Sequence, residues 1–324
     1  MDALSDVLQA VRLTGAVFFE ISAAEPWVAE TPPGTAIVGT IFPDTQHLIP
    51  YHVVVSGDCW AWALGEPPVH LSAGDIIVFP QGDAHVLSSA PGMRGAPDLA
   101  FYRQPTDSQL PFRMSMGDAA TTSAHIVCGF LGCDARPFNP LLDALPRVVR
   151  VSDRGGGTLA AFFAFALAES KEPRIGGEAT LGRLSELMFV EVIRRYVESL
   201  PPERANWLAG LRDSFVGLAL TALHRDPARD WSLASLAREV GISRSVLAER
   251  FTRFVGQPPM QYLMHWRMQL ATGHLLSGLD NVASVAERVG YDSEAAFGRA
   301  FKKVVGVPPG EWRKHGPVRD VHAS

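Results

Sequence analysis

Two segments near the end of the chain carry polar and charged side chains at the spacing of one exposed helix face. Arginine can donate hydrogen bonds to guanine or to phosphate oxygens, serine can donate to either, and lysine suits phosphate. These residue types predict a surface of two helices that contacts double-stranded DNA. The expected contact residues are Ser243, Arg244, Ser245, Glu249 and Thr252 in the first segment, and Ser293, Glu294, Ala295, Arg299 and Lys302 in the second.

A second group of side chains, in the first half of the chain, has the chemistry of a metal site. His52 and His85 offer imidazole nitrogens, and Cys128 and Cys133 offer thiolates, which together suit zinc. The same residues also have a structural interpretation, with hydrogen-bonded interior histidines and cysteines that serve as small apolar core residues. The sequence leaves both alternatives open, although a spacing of five between the two cysteines is a weak sign of a metal site.

The strand around His52 also predicts part of a small-molecule pocket. In a regular strand His52 and Val54 point to the same face, so together with His85 they could line an interior space. Aromatic side chains nearby favour an aromatic or apolar ligand. The candidate pocket residues are His52, Val54, Trp60, Trp62, Phe79 and His85.

The composition predicts folded domains that would position these groups. The chain has 324 residues, of which 47% are hydrophobic and 19% are charged, and this excludes wholesale disorder. The longest unbroken apolar run, Leu159 to Ala168, is about half the length of a membrane-spanning helix. The chain begins with acidic rather than basic residues, unlike a secretory signal, and three cysteines are too few for a disulfide framework. We expect a cytoplasmic protein with reduced thiols.

The net charge of -5 hides an asymmetry between the two parts of the chain. Residues 1–224 contain 15 Lys+Arg against 24 Asp+Glu, whereas residues 225–324 contain 14 against 10. A basic domain therefore follows an acidic one. The basic sign favours an anionic partner for the C-terminal part, with nucleic acid as the first candidate.

Hydrophobic periodicity separates a strand-rich part from a helical part. Short apolar runs between turn residues from Thr35 to about Val127 predict a β-barrel or sandwich, with a strand at Ala36–Phe42 and a turn at Ser56–Asp58. Helical spacing follows at Thr158–Ser170 and Thr180–Leu200. The second of these helices is apolar over a width that allows a partner helix from another subunit.

A near-repeat in the basic part is the strongest pattern in the sequence. Residues 234–241 match residues 283–290 at an offset of 49, and after one inserted residue the match continues at an offset of 50. Each copy predicts a short amphipathic helix, a tight turn at Gly241 or Gly290, a serine N-cap and a second helix. Two matched copies indicate two helix-turn-helix units in tandem.

In each copy one face of the second helix should be buried and the other exposed. Leu247 and Phe251 form the buried face of the first copy, and Phe297 and Phe301 form that of the second. A second helix held rigidly in this way can insert its exposed N-terminal half into a major groove. A long helix predicted from Met260 to Leu276 could place the two units in successive grooves, about 34 Å apart.

The segments that join and close the repeat resemble the AraC/XylS family of transcription regulators over about residues 222–315. The matching patterns are Pro259-x2-Tyr262-x4-Arg267-x3-Ala271-x3-Leu275-Leu276 and, at the end, Gly306-x-Pro308-Pro309-x2-Trp312-Arg313. The resemblance implies sequence-specific DNA binding and transcription regulation, commonly through contact with RNA polymerase. One departure is Ala295 with Gly298, which offer no hydrogen bonds to bases, so the second unit should read bases mainly through Arg299 or bind the DNA backbone.

Gly74-x5-Pro80-x-Gly82-x2-His85 is similar to the second half-motif of the cupin barrel, which implies a cupin-like sensor ahead of the DNA-binding domain. A cupin metalloenzyme would need about three histidines and a carboxylate around one ion. Here His47 and His52 stand five apart with no glutamate between them. We therefore predict a multi-domain α+β fold with a cupin-like domain at 1–150, a helical connector and dimerisation region at 151–221, and an AraC-type domain at 222–324, whose helix-turn-helix units span about 232–254 and 281–304. The N-terminal segment Leu4–Leu13 is expected to be a helix packed on the barrel.

Three functions of different class follow from these features. The first is a homodimeric transcription regulator that responds to a small-molecule effector. The second is a metal-dependent cupin enzyme with an appended DNA-binding domain, which the missing glutamate disfavours. The third is a metal or thiol sensor that uses Cys59, Cys128 and Cys133. We expect the first, without enzymatic activity.

Overall fold

The structure is a computed structural model that describes residues 2–102, 111–117, 121–153, 156–172, 174–201 and 203–316, with only the backbone of residues 17 and 18. The chain divides into two compact units. The strand-rich unit comprises residues 13–133 and 145–199, and the helical unit comprises residues 1–12, 134–144 and 200–324. These ranges differ from the predicted divisions at 150 and 221, because the predicted connector contributes helices to both units.

The described residues form strands and helices that we number in chain order. The strands are β1 (Thr14–Ala23), β2 (Val28–Thr31), β3 (His47–Ala63), β4 (Val69–Ser72), β5 (Asp75–Val78), β6 (His85–Ser88), β7 (Phe112–Met116), β8 (Ala124–Cys133) and β9 (Val149–Ser152). The helices are α1 (Ala3–Ala10), α2 (Gly34–Ile41), α3 (Pro140–Ala144), α4 (Thr158–Lys171), α5 (Gly177–Ser199), α6 (Trp207–Gly210), α7 (Val216–Arg225), α8 (Leu233–Glu239), α9 (Arg244–Val255), α10 (Pro259–Ser277), α11 (Val282–Arg288), α12 (Glu294–Val305) and α13 (Pro309–His315).

The long strand β3 organises the sheet of the strand-rich unit. The sheet has the order β2-β6-β3-β8-β1-β7, with β4 and β5 also paired to β3. The first half of β3 pairs with β8 and β5, and its second half pairs with β4 and β6. The strand changes partners at a bulge between Val54 and Ser56, followed by Gly57 with φ +74°. A Cβ on Gly57 would lie 1.8 Å from the carbonyl oxygen of Ser123, so this bend requires glycine.

Two of the predicted elements in this part of the chain were wrong. The segment Ala36–Phe42, predicted as a strand, belongs to helix α2, because Gly34, Ile37, Val38 and Ile41 repeat at helical spacing and face the core. The segment Ser56–Asp58, predicted as a turn, lies inside β3, because the bulge bends the strand without ending it. The predicted helices Thr158–Ser170 and Thr180–Leu200 correspond to α4 and α5.

Helix α5 packs closely on β1 through glycine. A Cβ on Gly182 of α5 would lie 2.6 Å from the carbonyl oxygen of Gly15 in β1, and the amide of Gly15 donates to the Glu186 carboxylate at 3.3 Å. Nearby, the hydroxyls of Tyr51 and Ser185 share a buried hydrogen bond of 2.7 Å. The close approach of the two backbones therefore attaches α5 to the sheet.

The N-terminal helix α1 belongs to the helical unit and contacts α3, α7 and α10, so its predicted packing on the barrel was wrong. Buried Gln269 of α10 holds it there, since its side-chain amide donates to the carbonyl of Ala10 at 3.2 Å. The carbonyl of the same side chain accepts from the amide of Phe138 at 3.1 Å. Arg12 and Asp134 add a two-pronged ion pair with both distances at 2.7 Å. These contacts attach both outlying segments to α10.

No helix among the described residues combines the length and the apolar character that crossing a membrane requires.

The approach of Gly182 to β1 leads to a stability prediction. Gly182→Ala should lower the free energy of unfolding by about 1–3 kcal/mol, because its methyl group would force α5 away from the sheet. In the control Gly273→Ala, the new Cβ meets no atom within 4 Å. That control should raise the free energy of unfolding by about 0.5–1 kcal/mol through helix propensity. Urea unfolding measures both changes, and stabilisation by Gly182→Ala would contradict the packing argument.

Candidate DNA-binding site and ligand cavity

The first copy of the repeat forms two short helices joined by a tight turn. Ser232 caps α8 in a reciprocal capping box with Ser235. The chain then turns at Gly241, which has φ +75°, and the amide of Ile242 donates back to the carbonyl of Ala237 at 3.1 Å. The Ser243 hydroxyl accepts from the amide of Val246 and begins α9. The first copy is therefore a helix-turn-helix unit whose local signals agree with its tertiary structure.

The second copy reproduces this geometry at the corresponding positions. Asn281 caps α11, and the chain turns at Gly290, which has φ +83°. The amide of Tyr291 donates to the carbonyl of Ala286 at 2.9 Å, the same bond that Ile242 makes in the first copy. The Ser293 hydroxyl accepts from the amide of Ala296 and begins α12. Helices α9 and α12 both end at a glycine of positive φ, and a proline follows two residues later.

The rear faces of the second helices are buried as the repeat predicts. Leu247 and Phe251 of α9 and Phe297 and Phe301 of α12 have no exposed surface. In the second unit, Phe297 and Phe301 pack in one cluster with Val285 and residues of α10. Four buried side chains, two on each helix, therefore fix the orientation of the outward faces.

The outward faces carry the predicted contact residues. Exposed side chains are Ser243, Arg244, Ser245, Glu249 and Thr252 on the first unit, and Ser293, Glu294, Ala295, Arg299 and Lys302 on the second. Three other cations of the helical unit are already paired, since Arg250 contacts Asp213 at 2.7 Å and both Arg225 and Arg229 contact Glu239 at 3.4 Å. Arg244, Arg299 and Lys302 make no ion pair with any described residue, so their charges are available to phosphate or bases.

The two reading helices differ in charge at their starts. Helix α9 begins with Arg244, whereas α12 begins with Glu294 and carries two of its three cations, Lys302 and Lys303, in the last turn, with Arg299 between them and Glu294. A carboxylate at the positive end of a helix suits the helix dipole but repels a phosphate. The first helix should therefore contribute most to base contacts near its N-terminus, and the second should contribute phosphate contacts near its C-terminus.

Arg267 of the connecting helix α10 joins the two helix-turn-helix units. Its guanidinium donates to the carbonyls of Pro227 and Arg229, before α8, at 2.7 and 3.0 Å. It also donates to the carbonyl of Gly290, in the turn of the second unit, at 3.2 Å. Burial lowers the pKa of Arg267 from its ordinary value. One side chain therefore links the segment that precedes α8 to the turn between α11 and α12.

Buried histidines meet inside the strand-rich unit. The Nε2 atoms of His52 and His85 lie 2.7 Å apart. His85 Nδ1 lies 2.8 Å from the backbone carbonyl of Asp83, which can only accept, so this nitrogen carries a proton. Burial lowers the pKa of His85 to about 4, so the ring is neutral and its Nε2 accepts from His52. His52 Nδ1 therefore carries no proton and can accept a hydrogen bond.

These side chains do not fit a zinc site. Two imidazole nitrogens on one tetrahedral zinc ion would lie roughly 3.3 Å apart, further than the hydrogen-bonded pair does. Cys128 is the cross-strand neighbour of His52, but Cys133 pairs with His47 at the end of β3. No group of three His, Cys, Asp or Glu side chains that could hold an ion occurs among the described residues.

The three thiols lie in protein interior. Cys59, Cys128 and Cys133 are all reduced and buried. Burial raises the pKa of Cys59 to about 12 and raises that of Cys128 as well. A buried thiol that stays protonated is a poor nucleophile, which argues against direct thiol sensing by these two residues.

A cavity of about 130 Å³ lies in the strand-rich unit. Of the six predicted pocket residues, His52 lines it and the others do not. Val54 and Phe79 belong to the core. The ring of His85 stacks on that of Phe79 with 3.9 Å between the ring centroids, and the ring of Trp60 packs on that of His70 with 5.0 Å between the centroids. Trp62 is buried outside the lining.

Sequence reasoning missed most of the cavity wall. Six of the missed residues lie two apart on strands that are distant along the chain, so their signal was strand alternation on β1, β7 and β8. That signal becomes useful only when the strand order is known. The lining includes Phe19, Ile21, Trp27, Leu87, Phe101, Tyr102, Met114, Met116, Cys128 and Phe130.

Two helix-turn-helix units with buried rear faces and exposed polar fronts define a DNA-binding protein, here combined with a strand-rich domain that contains a cavity. Residues 2–198 match the family described as Cupin, and residues 236–315 match the family described as Helix-turn-helix domain. An AraC-like transcription regulator of Streptomyces lividans is 32% identical over 97% of this chain and 99% of its own. The chain belongs to the AraC-like transcription regulators with an N-terminal cupin domain.

Other proteins match this chain over nearly its whole length at lower sequence identity. The HTH-type transcriptional regulator AlkR of Acinetobacter baylyi is 25% identical over 97% of this chain and 99% of its own. The solved structure of ToxT from Vibrio cholerae is 11% identical, with a TM-score of 0.34, and covers 94% of this chain and 98% of that chain. The relative from Streptomyces lividans, at 32% identity, supports the assignment as a DNA-binding transcription regulator, as the tandem repeat predicts.

The exposed arginines test the assignment of the reading faces. Arg244→Ala and Arg299→Ala should each weaken specific DNA binding by about 5- to 150-fold, because each loses a base or phosphate contact of about 1–3 kcal/mol. Fluorescence anisotropy with an operator fragment, obtained by selection from random DNA, measures the change. Arg250→Ala, which removes a cation already paired with Asp213, is the matched control. Unchanged affinity in both variants would refute the assignment.

The buried histidines predict a loss of stability in acid. Burial holds the pKa of His85 at about 4 and that of His224 at about 3, below the value near 6.5 of the unfolded chain. The unfolded state therefore binds more protons below pH ~6.5, and stability falls by roughly 1.4 kcal/mol per pH unit for each such histidine until its folded pKa is reached. Urea midpoints between pH ~7.5 and ~5 measure the slope. His85→Gln should make this slope shallower, and an unchanged slope in that variant would contradict the prediction.

Proposed function

We propose that the protein is a cytoplasmic, homodimeric regulator that binds a small-molecule effector in its cupin domain and has no enzymatic activity. On DNA it would act through contact with RNA polymerase. The single observation that carries the effector proposal is the mainly apolar cavity in the strand-rich unit. A ligand that prefers one of two conformational states of the chain would shift the placement of the reading helices.

The cupin enzyme remains a weaker candidate. Catalysis of that kind needs several ligands around one ion with an open position for substrate. His52 and His85 instead bond to each other, and the predicted zinc ligand Cys133 lies beside His47. This arrangement supports a binding role for the domain.

The homodimer is supported by the exposed apolar face of α4. Ala161, Ala164, Phe165 and Ala168 are exposed at helical spacing, and Phe165 has 48% of its surface accessible. These four side chains carry no charge that would repel an identical face, and the alanines permit close approach of two helices. A second copy of the chain is therefore the occupant that we propose. Leu187, which is 55% exposed on the adjacent helix α5, adds apolar surface outside α4.

The dimer and its role on DNA can be tested with one substitution. Phe165→Glu should halve the molar mass measured by sedimentation equilibrium at micromolar concentration, because burying two carboxylates in an apolar interface is unfavourable. The variant should retain binding to one operator half-site. It should lose at least about tenfold in affinity for an operator with two half-sites, where both subunits bind together.

Leu279→Glu is the matched control, since Leu279 is 89% exposed and lies outside α4. It introduces the same charge and should leave both mass and affinity unchanged. A native chain that sediments as a monomer at every concentration would contradict the dimer. Absence of selective, salt-sensitive binding to any DNA fragment would instead challenge the regulator itself.

A further inference from the structure

The volume of the cavity limits the size of the group that can bind in it. A cavity of about 130 Å³ is close to the roughly 150 Å³ that accommodates benzene in an engineered protein core. Its wall is built mainly from aromatic, aliphatic and thioether side chains, among them Phe19, Met114 and Phe130. The cavity therefore suits one aromatic ring or an apolar group of similar volume.

Two polar atoms in the wall lack partners. Trp27 is 3% exposed, and its indole Nε1 has no hydrogen-bond partner among the described residues. His52 is 5% exposed, and within the described part of the chain its Nδ1 is equally unpaired. Because His52 Nε2 is engaged by His85, which does not line the cavity, Nδ1 is the imidazole nitrogen left for a ligand. Buried polar groups are rarely left without partners, and each costs free energy while it is unpaired.

The two atoms are complementary in chemistry. The indole N–H of Trp27 can only donate, and the proton positions derived above make His52 Nδ1 an acceptor. A ligand that offers one acceptor and one donor, as a hydroxyl group does, could satisfy both. A hydrocarbon of the same size would leave both unpaired.

Charge around the cavity disfavours an anion. The described lining residues include the carboxylates Glu30 and Asp98 and no lysine or arginine. Arg94 neutralises Glu30 at 2.7 Å from outside the lining. A buried ligand carboxylate would thus meet no cation of the described wall, and an unpaired buried charge is costly.

We propose that this cavity binds a small, neutral, apolar molecule with one ring and a hydroxyl-type polar group, which accepts a hydrogen bond from Trp27 and donates one to His52. The inference rests on the proposed effector function and names the chemical class of the effector. It also accounts for Trp27 Nε1 and His52 Nδ1, which have no partner among the residues that the structure describes.

Three probes of similar size test the proposal by isothermal titration calorimetry on the full chain: p-cresol, toluene and benzoate. We expect p-cresol to bind about 5- to 100-fold more tightly than toluene, because it makes two additional hydrogen bonds. Benzoate should bind more weakly than either at pH ~7. Benzoate binding tighter than that of p-cresol would overturn the proposal, as would no binding of p-cresol up to about 5 mM.

Trp27→Phe separates a ligand contact from a structural role. The substitution keeps a ring in place and removes a donor that has no protein partner in the described chain, so any loss of thermal stability should come from the smaller ring and not from a broken hydrogen bond. The affinity for p-cresol should fall about 2- to 10-fold, whereas that for toluene should not. Trp60→Phe, outside the lining, is the matched control. An equal loss for both ligands, or none for p-cresol, would overturn the role of Trp27.

Ala29→Leu provides a second variant that fills the cavity from a partly buried lining position. It should abolish binding of all the probes while the chain keeps its affinity for DNA. Persistence of p-cresol binding in this variant would place the ligand elsewhere and overturn the proposal. Selective DNA binding by a native chain that ignores p-cresol would refute this inference and leave the regulator function intact.

Discussion

The DNA-binding face depends on the burial of two side chains one helical turn apart on the rear of each reading helix. Leu247 with Phe251, and Phe297 with Phe301, are fully buried, and each pair faces a core shared with the long helix α10. Removing one such side chain would cost about 2–5 kcal/mol, more than a reading side chain is worth to binding. The outward residues can therefore vary with the DNA sequence that is read, while the rear residues stay constrained by packing.

The same long helix carries the polar contacts that join the helical unit. Arg267 binds three backbone carbonyls in two separate turns. Further back, the hydroxyl of Tyr262 accepts from the indole of Trp207 and bonds the imidazole of His224 at 2.7 Å, inside a stack with Trp266. Burial holds the pKa of His224 at about 3, so this network contains a neutral imidazole. Directional hydrogen bonds between buried side chains specify one arrangement of helices more sharply than apolar contact alone.

The helical unit could be predicted from the sequence in more detail than the strand-rich unit because its signals are local. Glycine at a left-handed turn, serine at an N-cap and proline at a helix start act within a few residues, and the repeat shows each of them twice. The cavity wall, in contrast, is assembled from strands far apart in sequence, such as β1 and β7. Strand order determines which alternate side chains meet, and no local pattern encodes it. The helix α2 was missed for a different reason, since its β-branched residues favour a strand while their spacing favours a helix.

The size of the cavity also limits the free energy that a bound ligand can contribute to regulation. Burial of one aromatic ring removes roughly 150–250 Å² from water, worth about 4–6 kcal/mol before the cost of immobilising the ligand. A ligand shifts a conformational equilibrium only by the difference between its affinities for the two states, so a single ring cannot supply more than part of this energy. Reversing an equilibrium from about 1:99 to 99:1 needs roughly 5.5 kcal/mol, which is close to the entire burial free energy of one ring. Two cavities in a dimer add their contributions when the subunits change state together. The proposed effector pocket and the proposed dimer face are therefore consistent with one mechanism, because two pockets would double the limited bias that one pocket can provide.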